Sequence, residues 1–114
     1  MKCRDYTEKN RIAWNAVMPY HQKAMKAEWD DKFIQKGFII QEEPELGVLK
    51  RIGLQGKDVI HLCCNNGREL LSIKNMGAGR CHQIDISDSA IQAAKDRAKA
   101  TGINVEYLRS DVYE

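Results

Sequence analysis

The sequence predicts an α/β fold: the first β-α-β-α-β half of an open, doubly wound parallel sheet, preceded by N-terminal helices. Three strand-end signals carry that expectation. Asp58-Val59-Ile60-His61-Leu62-Cys63-Cys64-Asn65-Asn66-Gly67 is an apolar run that breaks into a tight polar turn. Cys81-His82-Gln83-Ile84-Asp85 and the run from Val105 to Asp111 are further strand-like segments, each closed by a carboxylate. Helical stretches separate the three, and strands alternating with helices build a parallel sheet. Ligands of such sheets bind in the crevice beyond the carboxyl ends of the strands. A glycine-containing turn and two acids delivered there describe a site for a nucleoside.

From the N-terminus, residues 6–36 read as helix, with Trp14, Val17, His21, Ala24 and Met25 near one face. Pro19 should kink or split it, because it has no amide to donate to the preceding turn, and Gly37 should end it. A short helix is expected from Pro44 to Gly53, burying Leu46, Val48, Leu49 and Ile52. After a turn at Gln55-Gly56-Lys57 come a strand at 58–63, a helix at 67–76 and a strand at 80–86. Ser87 has the side chain of an N-cap, and Asp88 suits a first helical turn. That helix should run to Thr101, with Ile91, Ala94, Ala98 and Thr101 on one stripe and Gly102 closing it. A strand at 104–109 follows. Residues 1–57 thus form a helical extension and 58–114 the first half of a sheet domain. Three strands make a small sheet with two edges, so the sequence reads as the front half of a larger enzyme, with an open edge available for self-association.

Composition narrows the classes. The chain has 114 residues, 43% apolar and 30% charged, with a net charge of +2. The part up to Lys57 carries 11 basic and 8 acidic residues and the remainder 7 and 8, so neither half has a basic patch suited to a phosphate backbone. Nucleic acid is not an expected partner. No apolar stretch approaches the ~20 residues of a membrane span, and the N-terminus lacks the apolar core of a signal peptide. The four cysteines do not form a spaced disulfide framework, which points to a reduced, cytoplasmic protein. His61, Cys63, Cys64, Cys81 and His82 lack the ligand spacing of a structural zinc site, so no metal is expected.

The candidate site follows from the strand tips. Gly67 tolerates positive φ and lets a ligand approach the backbone, and Asn65 is the best non-glycine candidate for a left-handed conformation. A helix starting there aims free amides at a carboxylate or phosphate. Asp85 lies 18 residues beyond Gly67, near the ~20-residue offset at which an acid meets ribose hydroxyls. Asp111 could accept from the exocyclic amine of an adenine and Val112 could offer its amide to the ring. A dinucleotide site needs G-x-G-x-x-G. All three of those glycine positions fail here, and Arg68 is bulky where the last would stand.

With these motifs, residues 58–114 resemble the first half of a class I S-adenosylmethionine-dependent methyltransferase, a Rossmann-like family. The run Val59–Gly67 stands where that family has an apolar pair, an acid and a G-x-G-x-G turn. Ile84-Asp85-Ile86-Ser87 resembles its ribose-binding second strand and Ser110-Asp111-Val112 its adenine-binding loop. Before the first strand, Asn10-Arg11, Ala13-Trp14-Asn15, His21 and Pro44-Glu45-Leu46 resemble a bacterial branch with a helical N-terminal extension, and His61-Leu62-Cys63-Cys64 is similar to its first motif. The resemblance implies binding of S-adenosylmethionine, with S-adenosylhomocysteine as product, by His61, Cys63, Asn65, Gly67, Asp85, Ile86, Asp111 and Val112. It implies acceptor-binding residues beyond a fourth strand, so no catalytic residue is assigned; the methyl acceptor is unknown and is expected to be a small molecule. Tyr20 and His21 would lie on the extension that closes over the cofactor. Two departures stand out: His61 replaces the usual acid, and Cys63 and Asn65 replace two glycines. The residues also accommodate a non-catalytic nucleoside- or nucleotide-binding module, or an interaction protein that dimerises through the open edge and keeps only a vestigial site.

Overall fold

A computed structural model of the protein describes residues 2–35, 37–64 and 67–114, and their side chains except those of 22–31 and 34. The elements are α1 (Cys3–Ile34), α2 (Glu45–Ile52), β1 (Val59–Leu62), α3 (Arg68–Asn75), β2 (Cys81–Asp85), α4 (Asp88–Thr101) and β3 (Glu106–Arg109). The strands form one parallel sheet in the order β1-β2-β3, with Val59 opposite Cys81 and Gln83 opposite Tyr107. The doubly wound β-α-β-α-β half expected from the sequence is therefore the architecture.

The strands start where local chemistry allows. Asp58 lies just outside β1, where its carboxylate takes the amide of Arg80 at 3.0 Å and pairs with the Arg80 guanidinium at 2.8 Å. That ion pair clips the entrances of β1 and β2 together. Ser87 caps α4 as expected, its hydroxyl accepting from the Ala90 amide at 3.1 Å. Gly102 ends the helix at φ 70°.

One face of the sheet is covered. Leu70 and Leu71 of α3 and Ala98 of α4 join Cys81, Val105 and Phe33 in the core. Phe33 meets the ring of Phe38 edge-on at 5.1 Å. Burying each leucine contributes about 1.5–3 kcal/mol. The segment before α2 is tied to α3 by a chain of polar bonds: the Ile40 amide donates to Ser72 Oγ, Ser72 Oγ to Gln41 Oε1, and Gln41 Nε2 to the Glu69 carbonyl. The opposite face is bare, with Ile60, Leu62 and Leu108 each more than half exposed.

Four expectations are corrected. Pro19 does not split the N-terminal helix; it lies inside α1, which is continuous across it, because one missing donor leaves the bonds on either side intact. The buried side of α1 is marked by Met18 and Phe33, while Trp14, Val17 and His21 are exposed; the side chains of Ala24 and Met25 lie outside those described. The helix packs mainly on α4, and it is this partner that selects the buried stripe. α2 buries none of its side chains: Leu46 and Leu49 are half-buried, and Val48 and Ile52 are exposed. Pro44 is its N-cap rather than its first helical residue.

Candidate functional site at the strand tips

The first turn is built from backbone conformation. β1 ends at Leu62, and Cys63 follows at φ 56°, the left-handed region that favours glycine. Cys64 then turns inward and is fully buried, with its amide on the Ile84 carbonyl at 3.3 Å; burial pushes its thiol up to about 12. Gly67 has φ 80° and caps α3. A Cβ at this residue would stand 2.7 Å from Gln83 Oε1 and 2.8 Å from Ala94 Cβ, so both conformation and space require glycine. Asn65, the residue expected to be left-handed, lies with Asn66 outside the described residues. Among the described non-glycine residues the positive φ belongs to Cys63.

Beside this turn lies a recess of about 300 Å³. Cys63, Asp85 and Ile86 line it from the strand tips, and Asn10, Trp14 and Met18 from α1. Asp85 ends β2, and one of its oxygens accepts from the Ser87 amide at 2.9 Å. The sequence assigns the start of α4 to Ser87 and Asp88 alone; Asp85 also supports it. The wall made by α1 is missed in the sequence because the expected stripe runs from Trp14 through Val17 and His21, past Met18. The i, i+4, i+8 spacing of Asn10, Trp14 and Met18 is the signal that would have found it. Tyr20 and His21 do not line this recess and both are exposed, though the His21 ring lies 6.5 Å from that of Trp14.

α1 is fixed by polar bonds at the tip of α4. Asn15 Oδ1 accepts from Ser87 Oγ at 2.7 Å and from the Ser89 amide at 3.1 Å. Asn15 Nδ2 donates to Asp88 at 3.1 Å, and Arg11 is ion-paired with the same carboxylate. The other Asp88 oxygen meets Arg109 at 3.2 Å.

The remaining candidates are spread out. Asp111 lines a neighbouring polar recess of about 210 Å³ that shares Ile86 with the first. A hydrogen bond from Thr7 of α1, then one from the Tyr113 amide, holds its carboxyl below the usual carboxylate range. Val112 is exposed and lines neither recess; nor does His61, whose Nδ1 is buried. Cys63, Asp85 and Ile86 are thus brought together, Gly67 shapes the turn behind them, and Asp111 is one recess away. A carboxylate at the end of a strand, an apolar wall and a tryptophan can take a sugar and a planar ring. Among the described residues no three His, Cys, Asp or Glu side chains converge on a metal position.

A family model described as "Methyltransferase domain" matches residues 59–114. Residues 59–114 belong to the methyltransferase family. Ribosomal protein L11 methyltransferase of Klebsiella pneumoniae (strain 342) is 38% identical over 56 residues, which are 49% of this chain and 19% of that protein. A Methanocaldococcus jannaschii protein, provisionally named a protein N5-glutamine methyltransferase, is 27% identical over 63 residues, or 55% of this chain and 32% of its own. The chain thus spans a third or less of the length of these curated relatives. A solved S-adenosylmethionine-dependent methyltransferase from Clostridium acetobutylicum shares the fold, with TM-score 0.51 and 16% identity over 90% of this chain and 38% of its own. The family match begins at the first strand, so α1, which walls the recess, lies outside the matched region. No described helix is long and apolar enough to cross a membrane.

Proposed function

We propose that the recess at the strand tips binds S-adenosylmethionine and that the protein serves methyl transfer, releasing S-adenosylhomocysteine. The observation that carries this reading is the meeting of Cys63, Asp85 and Ile86 in one recess beside the Gly67 turn. Its volume of about 300 Å³ is at the lower end for a small-molecule pocket, and its donor set suits a nucleoside. Asp85 would accept from the ribose hydroxyls, Ile86 would lie against the adenine, and Asp111 with the Val112 amide would meet the edge of the base. The backbone at Cys63, Asn65 and Gly67 would receive the methionine portion, and His61 would support it from beneath. When bound, the cofactor supplies a methyl group on a positively charged sulfur. The chain's own part is to hold that methyl in line and exclude water, because an in-line displacement needs no nucleophile from the protein.

The small-molecule acceptor expected from sequence gains nothing from the relatives, two of which are named for protein acceptors. Assays of transfer should therefore offer both classes. A cytoplasmic location fits the reduced cysteines and the reaction.

Calorimetric titration with S-adenosylmethionine, S-adenosylhomocysteine and NAD tests the reading. Binding of the first two and not of NAD is expected. Asp85→Ala should weaken binding by up to about 1.5–3 kcal/mol for each ribose hydrogen bond lost; unchanged affinity removes Asp85 from the site. A second reading, self-association through the sheet, is favoured by the exposure of Ile60, Leu62 and Leu108, and sedimentation across a range of concentrations decides it.

A further inference from the structure

The register of the sheet lines up three polar side chains. His61 of β1 is paired with Gln83 of β2, and Gln83 with Tyr107 of β3. All three belong to the face covered by helices. His61 Nδ1, Gln83 Oε1 and Tyr107 OH are each buried without a hydrogen-bond partner among the described residues. Gln83 itself is fully buried, an expensive position for a carboxamide unless it holds something in place. What it holds is the first turn: Gln83 Nε2 donates to the Gly67 carbonyl at 3.3 Å. That carbonyl also accepts from the Leu71 amide at 3.3 Å, so it joins the start of α3 to the middle strand. The missing side chain at Gly67 is what lets the carboxamide approach.

We infer that Gln83 is a positioning residue for the first turn: flanked by His61 and Tyr107, its carboxamide sets where Gly67 and the leading amides of α3 stand. The inference rests on the reading above only in taking that turn as part of the cofactor site. The Cys64 amide on the Ile84 carbonyl ties the entry of the turn to β2. The Gln83 bond ties its exit, at the carbonyl on which the first turn of α3 also rests. An apolar side chain of equal length would fill the same space and exert no such hold.

Two measurements decide it. In the unaltered protein, the Gln83 carboxamide protons should exchange with solvent at least about tenfold more slowly than those of exposed Gln92; equal rates overturn the inference. In Gln83→Met, which keeps length and loses both polar ends, amide exchange at Gly67 and Leu71 should rise about tenfold while that of Ala94 and Ala98 in α4 stays unchanged. A uniform rise across both helices means general loosening and overturns it, as does no rise. Affinity for S-adenosylhomocysteine should fall by a similar factor. Because exchange is read without ligand, an unaltered protein that ignores this ligand defeats the functional reading and leaves the role of Gln83 to be decided by exchange alone.

Discussion

The two faces of the sheet carry similar apolar side chains and meet different fates. On one, Val59, Cys81 and Tyr107 lie under α3 and α4; on the other, Ile60, Leu62 and Leu108 stand in the open. Alternation along a strand says only that two faces exist. Which one is buried is decided by where the connecting helices fall, and here both crossovers fall on the same side. The lesson is that apolar content at a strand position predicts burial only once its cover is known.

The largest effect should separate the faces outright. Leu70→Ala, in the covered core, should cost about 2–5 kcal/mol in denaturant unfolding, whereas Leu108→Ala on the bare face should stay within about 0.5 kcal/mol. Equal costs would mean that another chain covers the bare face in solution. A smaller contrast uses two glycines of similar backbone. Gly53 has φ 73° and nothing within 4 Å of where a methyl group would stand, while Gly67 meets Gln83 and Ala94. Gly67→Ala should therefore exceed Gly53→Ala by about 1–3 kcal/mol, the cost of overpacking. Smaller again, Cys63→Gly should stabilise the protein by about 1 kcal/mol by relieving its left-handed backbone.

The thiols report the same contrast chemically. Cys63 is exposed and Cys64 and Cys81 are buried, and burial raises both buried thiols above their ordinary values. An alkylating reagent at neutral pH should modify Cys63, together with exposed Cys3, and spare Cys64 and Cys81, as read by peptide mass. The least effect lies at the exposed rim. The Arg80 hydrogen bonds lower the carboxyl of Asp58, and the Thr7 hydrogen bond lowers that of Asp111. Lowered folded values make the charged forms stabilising, so this contribution is present above about pH 4 and is lost as pH falls through the lowered values. Arg80→Ala should flatten part of that acid-side slope in thermal melts.

Much of this was legible in the residues. Gly53, Gly67, Gly102 and Ser87 punctuated α2, α3 and α4 where local chemistry demanded, whereas α1 ends on Gln35 rather than at Gly37; three runs ending in turns implied the parallel order. Asp85 and Ile86 line the recess because their position follows from the end of β2. What escaped depended on distant parts of the chain. Met18, not Trp14, is buried on α1 because α4 is its partner. α2 is amphipathic in sequence yet leaves Leu46 and Leu49 only half-buried. Asn15 had no local reason to matter, and the pairing of Gln83 with His61 and Tyr107 exists only once register is set.

The contact between Asn15 and the start of α4 carries one more consequence. The Ala90 amide donates to Ser87 Oγ, and Ser87 Oγ donates to Asn15, so two helices far apart in sequence share a single hydrogen-bonded knot. Peeling α1 away to admit a ligand would loosen that knot. Access to the recess and fraying of the fourth helix are then one coupled motion rather than two.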